Sequence, residues 1–452
     1  MNRSGNETEA ATSTHANSAT RWWVVSALAA FSLTSYLARA NISVAAEVMS
    51  ASLGLSKIRM GEIFSSFLAG YALFQIPAGA IGDRIGPRLT LGLSALLWSL
   101  TTALTAFLPS LFAGRLILLL TTLCIVRFAL GAAEATTFPV GNLVVRNRLA
   151  PSQHATGTAV MFLGTSLASA ITGPLIAHIT VTYGWQSAFY LTAIPPLLLG
   201  LGWLAFAPAD GAHHPRTSST PHTTQRHAVL SILTRRRVLL LIVSYVSEGY
   251  MLFLFVFWMY TYLVERRGFS LLDAGWLAAA PWLTALVLAP LGGYLCDRIG
   301  RRRGQVQGAR AVIAIGYIAS GALLYVAAYA PQRWLCLVAL CISIAALMGA
   351  EPGFWTYAAH VAEDHVGLVS GVMNTAGILG GIASTSLVPL LVRSFGWGVA
   401  LASGTVMAFF CAIVWMFIRE DRSRFVGCGD AAASSELEGR CPPATQNGGR
   451  LE

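Results

Sequence analysis

Charge is what this chain has least of. Asp, Glu, Lys and Arg make up 11% of its 452 residues, where a soluble globular domain carries about a quarter. A soluble enzyme and a disordered, highly charged chain are both excluded on that ground. Cysteine is also scarce. Cys124, Cys296, Cys336, Cys341, Cys411, Cys428 and Cys441 form no CxxC pair and no metal-ligand spacing with His, and the first five lie in apolar runs. That is the usage of small buried hydrophobes, so neither a zinc site nor a disulfide framework is expected. No nucleophile–base constellation and no cofactor-binding loop is present, so no enzymatic activity, metal or cofactor is expected. The first 20 residues are polar and are not followed by a short apolar stretch with a cleavage site. The first apolar run therefore reads as a membrane span, with no cleaved leader.

What the chain has instead is 55% hydrophobic residues and a mean hydropathy of +0.62. A helix rising ~1.5 Å per residue needs about 20 apolar residues to cross the hydrocarbon. Twelve segments satisfy this: 22–50, 60–82, 89–107, 114–145, 154–179 and 185–207, then 238–264, 272–296, 309–330, 333–361, 366–392 and 397–418. The longest polar insert, 209–237, is rich in His, Pro, Ser and Thr and reads as a linker. The expected architecture is an all-α polytopic membrane protein. Two pseudo-symmetric six-helix bundles, 21–208 and 238–418, flank the cytoplasmic linker, and 1–20 and 419–452 are expected to be disordered cytoplasmic tails.

The halves repeat each other. Gly79-x-x-x-Asp83-Arg84-x-Gly86-Pro87-Arg88 follows the second span, and Gly293-x-x-x-Asp297-Arg298-x-Gly300-Arg301-Arg302 follows the eighth, 214 residues later. Gly184-Trp185 opens the sixth span and Gly396-Trp397 the twelfth, 212 residues apart, while Glu134 and Glu351 are separated by 217. Three unrelated features sharing nearly one offset indicate a duplicated six-helix unit, the plan of transporters with a midplane site between repeats.

The net charge of +10 has a topological cause. With both termini inside, fourteen Lys and Arg fall in inner loops and the linker. Seven fall outside: Lys57, Arg59, Arg115, Arg266, Arg267, Arg333 and Arg393. By the inside-positive bias both termini face the cytoplasm of a plasma (inner) membrane, and no nucleic acid is needed to explain the basic excess. A monomer in the lipid bilayer is expected.

Five charged residues lie deep inside spans, away from their ends: Arg39, Arg127, Glu134, Glu248 and Glu351. Placing such a group at mid-bilayer costs ~2.5–3.5 kcal/mol even on the gentler insertion scales, so each is a functional candidate. A guanidinium at Arg39 can hold a carboxylate through two parallel hydrogen bonds, which Lys cannot; the alternative is an internal ion pair that fixes packing. Arg127 and Glu134 are seven residues apart, nearly two turns, and share a helix face ~10 Å apart along the axis, with Gly131 between them. Burial favours the neutral form of Glu134 and a nearby Arg the charged form, which suits a proton carrier; a permanent Arg–Glu bridge is the alternative. Glu248 either supplies a further proton site or faces a water-filled cavity. Glu351-Pro352-Gly353 reads as a broken helix whose acid closes a gate or pairs with an Arg.

The paired Gly-x-x-x-Asp-Arg-x-Gly-x-Arg loops in a six-plus-six chain resemble the major facilitator superfamily. Within it, the stretches Tyr36 to Asn41, Phe67 to Gly79, Arg127 to Pro139, Trp258 to Gly275 and Gly371 to Gly381 resemble the anion:cation symporter family. That family includes permeases for galactonate, hexuronates, glucarate and aromatic acids. The resemblance implies that Arg39 and Arg127 bind the substrate carboxylate and that Glu134 carries a proton, the coupling ion. It also implies that Tyr36, Tyr71 and Asn374 line the pocket, and that Asp83, Arg84 and Arg88 with Asp297 and Arg298 latch the halves on the cytoplasmic side. Asn41 lies in the same first-span stretch. The chain departs from the family at three places. Ala38 stands where many bacterial members have a second acid, Thr165 where sugar-acid carriers have Gln, and Ile378 where the family has Asn. The pocket is thereby less polar. Aromatics such as Trp355 either stack on an apolar acid or pack helices.

The expected function is proton-coupled symport of a small organic anion. An organophosphate/phosphate exchanger is a competitor, but such carriers place basic residues in spans one and seven, and span seven carries Glu248 and no interior Arg. A drug/proton antiporter is a second, but cationic drugs would meet Arg39 and Arg127, and the glycines expected after Gly173-Pro174 are Ala177 and His178.

Overall fold

The computed structural model describes residues 4–112, 114–149, 153–207, 234–361 and 366–418. Apart from short connections they are helical: α1 (Ser4–Leu53), α2 (Lys57–Ile85), α3 (Pro87–Leu111), α4 (Leu116–Glu134), α5 (Thr137–Arg148), α6 (His154–Tyr183) and α7 (Trp185–Phe206) form the first half. The second half comprises α8 (Arg236–Glu265), α9 (Leu271–Arg303), α10 (Gln305–Tyr329), α11 (Arg333–Val361) and α12 (Val366–Met416). α12 bends at Gly396 into two limbs, and α4 with α5 makes one span, so each half crosses six times. Large apolar side chains such as Ile117, Val287, Ile315 and Val406 are exposed around the bundle, the surface a bilayer would cover.

Two of the repeated features mark where the chain turns. Gly184 and Gly396 have φ of 85° and 82°, a region closed to side chains with a Cβ, and each separates the paired helices of its half. The other repeat is less regular. Gly86 (φ 91°) turns the chain between α2 and α3, but the matching turn falls on Gly304 (φ 98°). α9 continues through Gly300 to Arg303, one turn longer than α2, because α10 packs against Gly300 at Gly308.

α1 extends upstream of the first span to Ser4. The Glu351-Pro352-Gly353 break is absent, and α11 runs through Pro352. Packing accommodates the proline: Gly353 admits Ile313, and the Thr356 hydroxyl donates to the Pro352 carbonyl at 2.8 Å. The linker lies mostly outside the described residues, as does the tail after Ile418.

The break that matters most is the one between α4 and α5. Pro139 lacks an amide hydrogen and its ring would strike the carbonyl of Ala135, which disfavours a regular helix through this point. Instead Thr136 donates its amide to Ala133 at 3.4 Å and its hydroxyl to the same carbonyl at 2.9 Å. Glu134 thus sits on the last helical residue before a kink.

The halves meet through α1 with α8, α2 with α12, and α6 with α9. At the end away from the termini, Lys57 Nζ pairs with Glu265 Oε1 at 2.7 Å. Ser65 shares hydrogen bonds with Thr385 (2.7 Å) and Ser386 (2.9 Å), and Phe64 stacks on Phe257 at 4.7 Å. There α6 and α9 touch backbone to backbone, since a Cβ on Gly173 would collide with the Gly275 carbonyl. The small residues permit this approach.

Candidate functional site

The site begins with a close crossing of α2 and α4. A Cβ on Gly131 would strike the Phe67 carbonyl and one on Gly70 the Phe128 carbonyl, so the two glycines let the backbones touch. The space beside Gly131 is therefore taken by α2. That contact sets Phe67 and Tyr71, one turn apart on α2, directly against the charged residues of α1 and α4.

Arg39 and Arg127 both lie against the Phe67 ring, each guanidinium carbon 5.2 Å from its centroid. Arg39 is further enclosed by Tyr36 (4.5 Å) and Tyr71 (4.6 Å). Aromatic faces attract a guanidinium, more so away from water. Tyr36 is half-buried, whereas Arg39 and Tyr71 are buried.

Glu134 makes its ion pair across helices. Its Oε2 accepts from Nε and Nη2 of Arg39, both at 3.4 Å, and from the Ser35 hydroxyl at 3.0 Å. Oε1 is buried with no hydrogen-bond partner. The bridge between Arg127 and Glu134 within α4 does not form. Arg127 Nη2 donates to the backbone carbonyl of Arg39 at 3.4 Å, and its Nε and Nη1 are buried without partners. Two turns of helix put the α4 pair too far apart for a direct bond, and α1 intervenes. The cluster holds two guanidinium groups and one carboxylate, so it retains one uncompensated positive charge.

The second half presents acids. Glu351 Oε1 accepts from the Tyr245 hydroxyl (2.6 Å) and from Trp355 Nε1 (2.7 Å). Its partners are thus aromatic donors, not an Arg. Glu248, 3% exposed, lies one turn after Tyr245 on α8, within Coulombic range of Glu351 and, across the interface, of Tyr36. Asn374 is half-buried on α12, one turn before Gly377, whose Cβ would come 3.5 Å from Glu248 Oε2.

The remaining predicted residues lie elsewhere. Asn41 leaves the cluster: its Nδ2 donates to Thr192 on α7 at 2.9 Å, because two residues along a helix turn a side chain by about 200°. Thr165 is buried on α6, where Gly164 packs on the α1 backbone. At the terminal end, Asp83 borders a cavity of about 320 Å³ with Asn142, Arg146 and Thr158. Arg88 donates to the Leu204 carbonyl within its own half, and Arg298 to Tyr294 at 3.2 Å on its own helix. Among the described residues, Asp83, Arg84 and Asp297 form no ion pair. Ser35, Phe67 and Tyr245 were not singled out from the sequence, although each lies three or four residues from Arg39, Tyr71 or Glu248 and so on a shared helix face.

Twelve spans in two repeated halves, with buried charges on both sides of the interface, define a secondary membrane transporter. The chain belongs to the Major Facilitator Superfamily, whose model it matches over residues 28–385. It is 30% identical over 402 residues to the hexuronate transporter of Bacillus subtilis, covering 85% of this chain and 91% of that one. It is 26% identical over 397 residues to a probable galactarate/D-glucarate transporter of the same organism, covering 83% and 86%. Its fold matches a bacterial homologue of the human lysosomal transporter Spinster in an inward-facing, unoccupied conformation. That match has a TM-score of 0.71 at 16% identity, over 94% of this chain and 99% of that one.

Proposed function

We propose that the protein carries a small organic anion across the plasma (inner) membrane by proton-coupled symport, as a monomer with both termini in the cytoplasm. The observation that carries this reading is the unequal sharing at the buried cluster: one carboxylate oxygen serves Arg39, while Arg127 keeps two unpartnered donors. Relatives named for hexuronate and for galactarate/D-glucarate, both carboxylates, support it.

The mechanism follows from competition for Arg39. A substrate carboxylate that pairs with Arg39 takes the place of Glu134. An unpaired carboxylate at that depth costs several kcal/mol, so Glu134 takes up a proton as it loses its partner. For a substrate of net charge −1 the pocket's charge is then the same with substrate and proton bound as it was before, which lets the halves rock without stranding a charge. Arg127 supplies the second set of donors, and Tyr36, Tyr71 and Phe67 exclude water from the exchange. With the termini inside, the contacts at Lys57–Glu265, Phe64–Phe257 and Ser65–Thr385 close the outer side. Asp83, Arg84, Arg88, Asp297 and Arg298 would latch the inner side in the opposite state.

The test is uptake by proteoliposomes under an imposed pH gradient, with sugar acids competing against aromatic carboxylates. Accumulation that follows the gradient and is blocked by organic anions is expected. Absence of competition by any organic anion would overturn the reading.

A further inference from the structure

The arginine cluster accounts for one side of the interface only. On the other, Glu248 and Glu351 face each other within Coulombic range, and neither forms an ion pair among the described residues. One half therefore presents basic groups and the other acidic groups, and the two sets approach each other at Tyr36. Its ring lies 4.5 Å from the Arg39 guanidinium and within Coulombic range of Glu248.

We propose that Glu248 and Glu351 form a subsite for the protonated amino group of a zwitterionic substrate whose carboxylate is held by Arg39 and Arg127. This rests on the carboxylate reading above and narrows it to molecules that carry both groups. Four features support it. First, Glu351 is oriented: Tyr245 and Trp355 both donate to Oε1, and Oε2 is buried without a partner. Second, Glu248 is 3% exposed and has no hydrogen-bond partner among the described residues. Third, the Tyr317 hydroxyl, on a wholly buried ring, also lacks a partner and lies within Coulombic range of both carboxylates. Fourth, the walls are aromatic, with Tyr245 set edge-on to Phe354 at 5.0 Å and to Trp355 at 6.5 Å.

An ammonium group fits this inventory. It offers three donors, enough for Glu248, Glu351 Oε2 and the Tyr317 oxygen together, and aromatic faces attract it. A single proton shared by the two acids would supply one donor and leave the other acceptors unmatched. The chain's departures from sugar-acid carriers fit as well. Amides that would bind hydroxyl groups are replaced by Thr165 and Ile378, while the second half holds two acids, Glu248 and Glu351.

The experiment measures proteoliposome uptake of radiolabelled matched pairs that differ only in the amino group: alanine and propionate, glutamate and glutarate, phenylalanine and 3-phenylpropionate. In at least one pair the amine-bearing member is expected to enter about tenfold faster or more, with Glu248→Gln abolishing that preference. Trp355→Phe, at a partly exposed position, removes one donor to Glu351 without burying a new polar group, and should lower the preference several-fold. Equal or faster uptake of the deaminated members overturns the zwitterion proposal and leaves the carboxylate reading intact. Uptake of no member of the panel overturns the zwitterion proposal, and the carboxylate reading falls with it only if sugar acids and aromatic carboxylates also fail to compete. A change in the pH profile of Glu248→Gln with the preference unmoved would make the acids proton carriers and overturn the proposal.

Discussion

Arg39 of α1 and Glu134 at the end of α4 meet through one carboxylate oxygen, which also accepts from Ser35, while the other oxygen has no partner. This is a one-sided pair. A bidentate guanidinium–carboxylate bridge would use both oxygens, and the arrangement leaves Arg39 available for a better partner.

Replacing Arg39 tests that availability. Arg39→Ala and Arg127→Ala are expected to abolish uptake. Arg39→Lys retains the charge but loses the fork. Hydrogen bonds to charged groups contribute about 1.5–3 kcal/mol, so apparent affinity should fall roughly 10- to 150-fold. The check is substrate saturation in proteoliposomes, with thermal unfolding to show that the protein is intact. Wild-type affinity for Arg39→Lys would contradict bidentate recognition.

Glu134→Gln removes the ionisable proton and retains the shape. Exchange of substrate between the two sides should persist, and accumulation driven by a pH gradient should be lost. Both are measured on the same proteoliposomes by counterflow and by gradient-driven uptake. Full gradient-driven accumulation by this variant would take Glu134 out of the coupling role.

The Lys57–Glu265 pair joins the halves at the far end and is partly exposed, at 37% and 23%. Such pairs contribute about 0.2–1 kcal/mol. Lys57→Met should therefore shift the equilibrium toward the state open at that end by only about 1.4- to 5-fold, less at high salt. Spin-label distances between α2 and α8 report it. A shift of a hundredfold would show that the pair has a larger role than its exposure allows.

Gly173 and Gly275 should be far less tolerant. A side chain at Gly173 meets the Gly275 backbone, which cannot yield as a flexible side chain can. Gly173→Val is expected to reduce uptake below about a tenth by holding the far ends apart, on the steric logic of small-residue interfaces. A Ser65→Cys reporter should then react faster with a membrane-impermeant thiol reagent, and unchanged labelling would remove Gly173 from the closing surface.

Much of the fold was legible because its physics is local. Helix length against bilayer thickness gave twelve spans, and the repeated glycines located the bends at Gly184 and Gly396. The repeat misled only where packing intervened, as at Gly300, which α10 keeps helical so that the turn moves to Gly304. Of the candidate site, Arg39, Arg127, Tyr36 and Tyr71 were visible as rare polar groups in apolar spans and converge, whereas Asn41, equally polar, turns to Thr192. The partners of the acids were not legible. Helical spacing suggested Arg127 for Glu134, and the proline suggested a broken helix at Glu351.

By itself, then, the sequence determined that this is a duplicated twelve-span membrane protein, and which few charges it commits to the hydrocarbon. Burial of a charge is a cost set by residue type and position along a span, so it can be counted residue by residue. Only the tertiary structure decided how those charges are shared: one carboxylate oxygen to Arg39, spare donors on Arg127, and two acids of the second half within range of each other. Pairing depends on distances of a few ångströms between helices remote in sequence, and those distances are set by close backbone crossings such as Gly70 with Phe128 and Gly131 with Phe67.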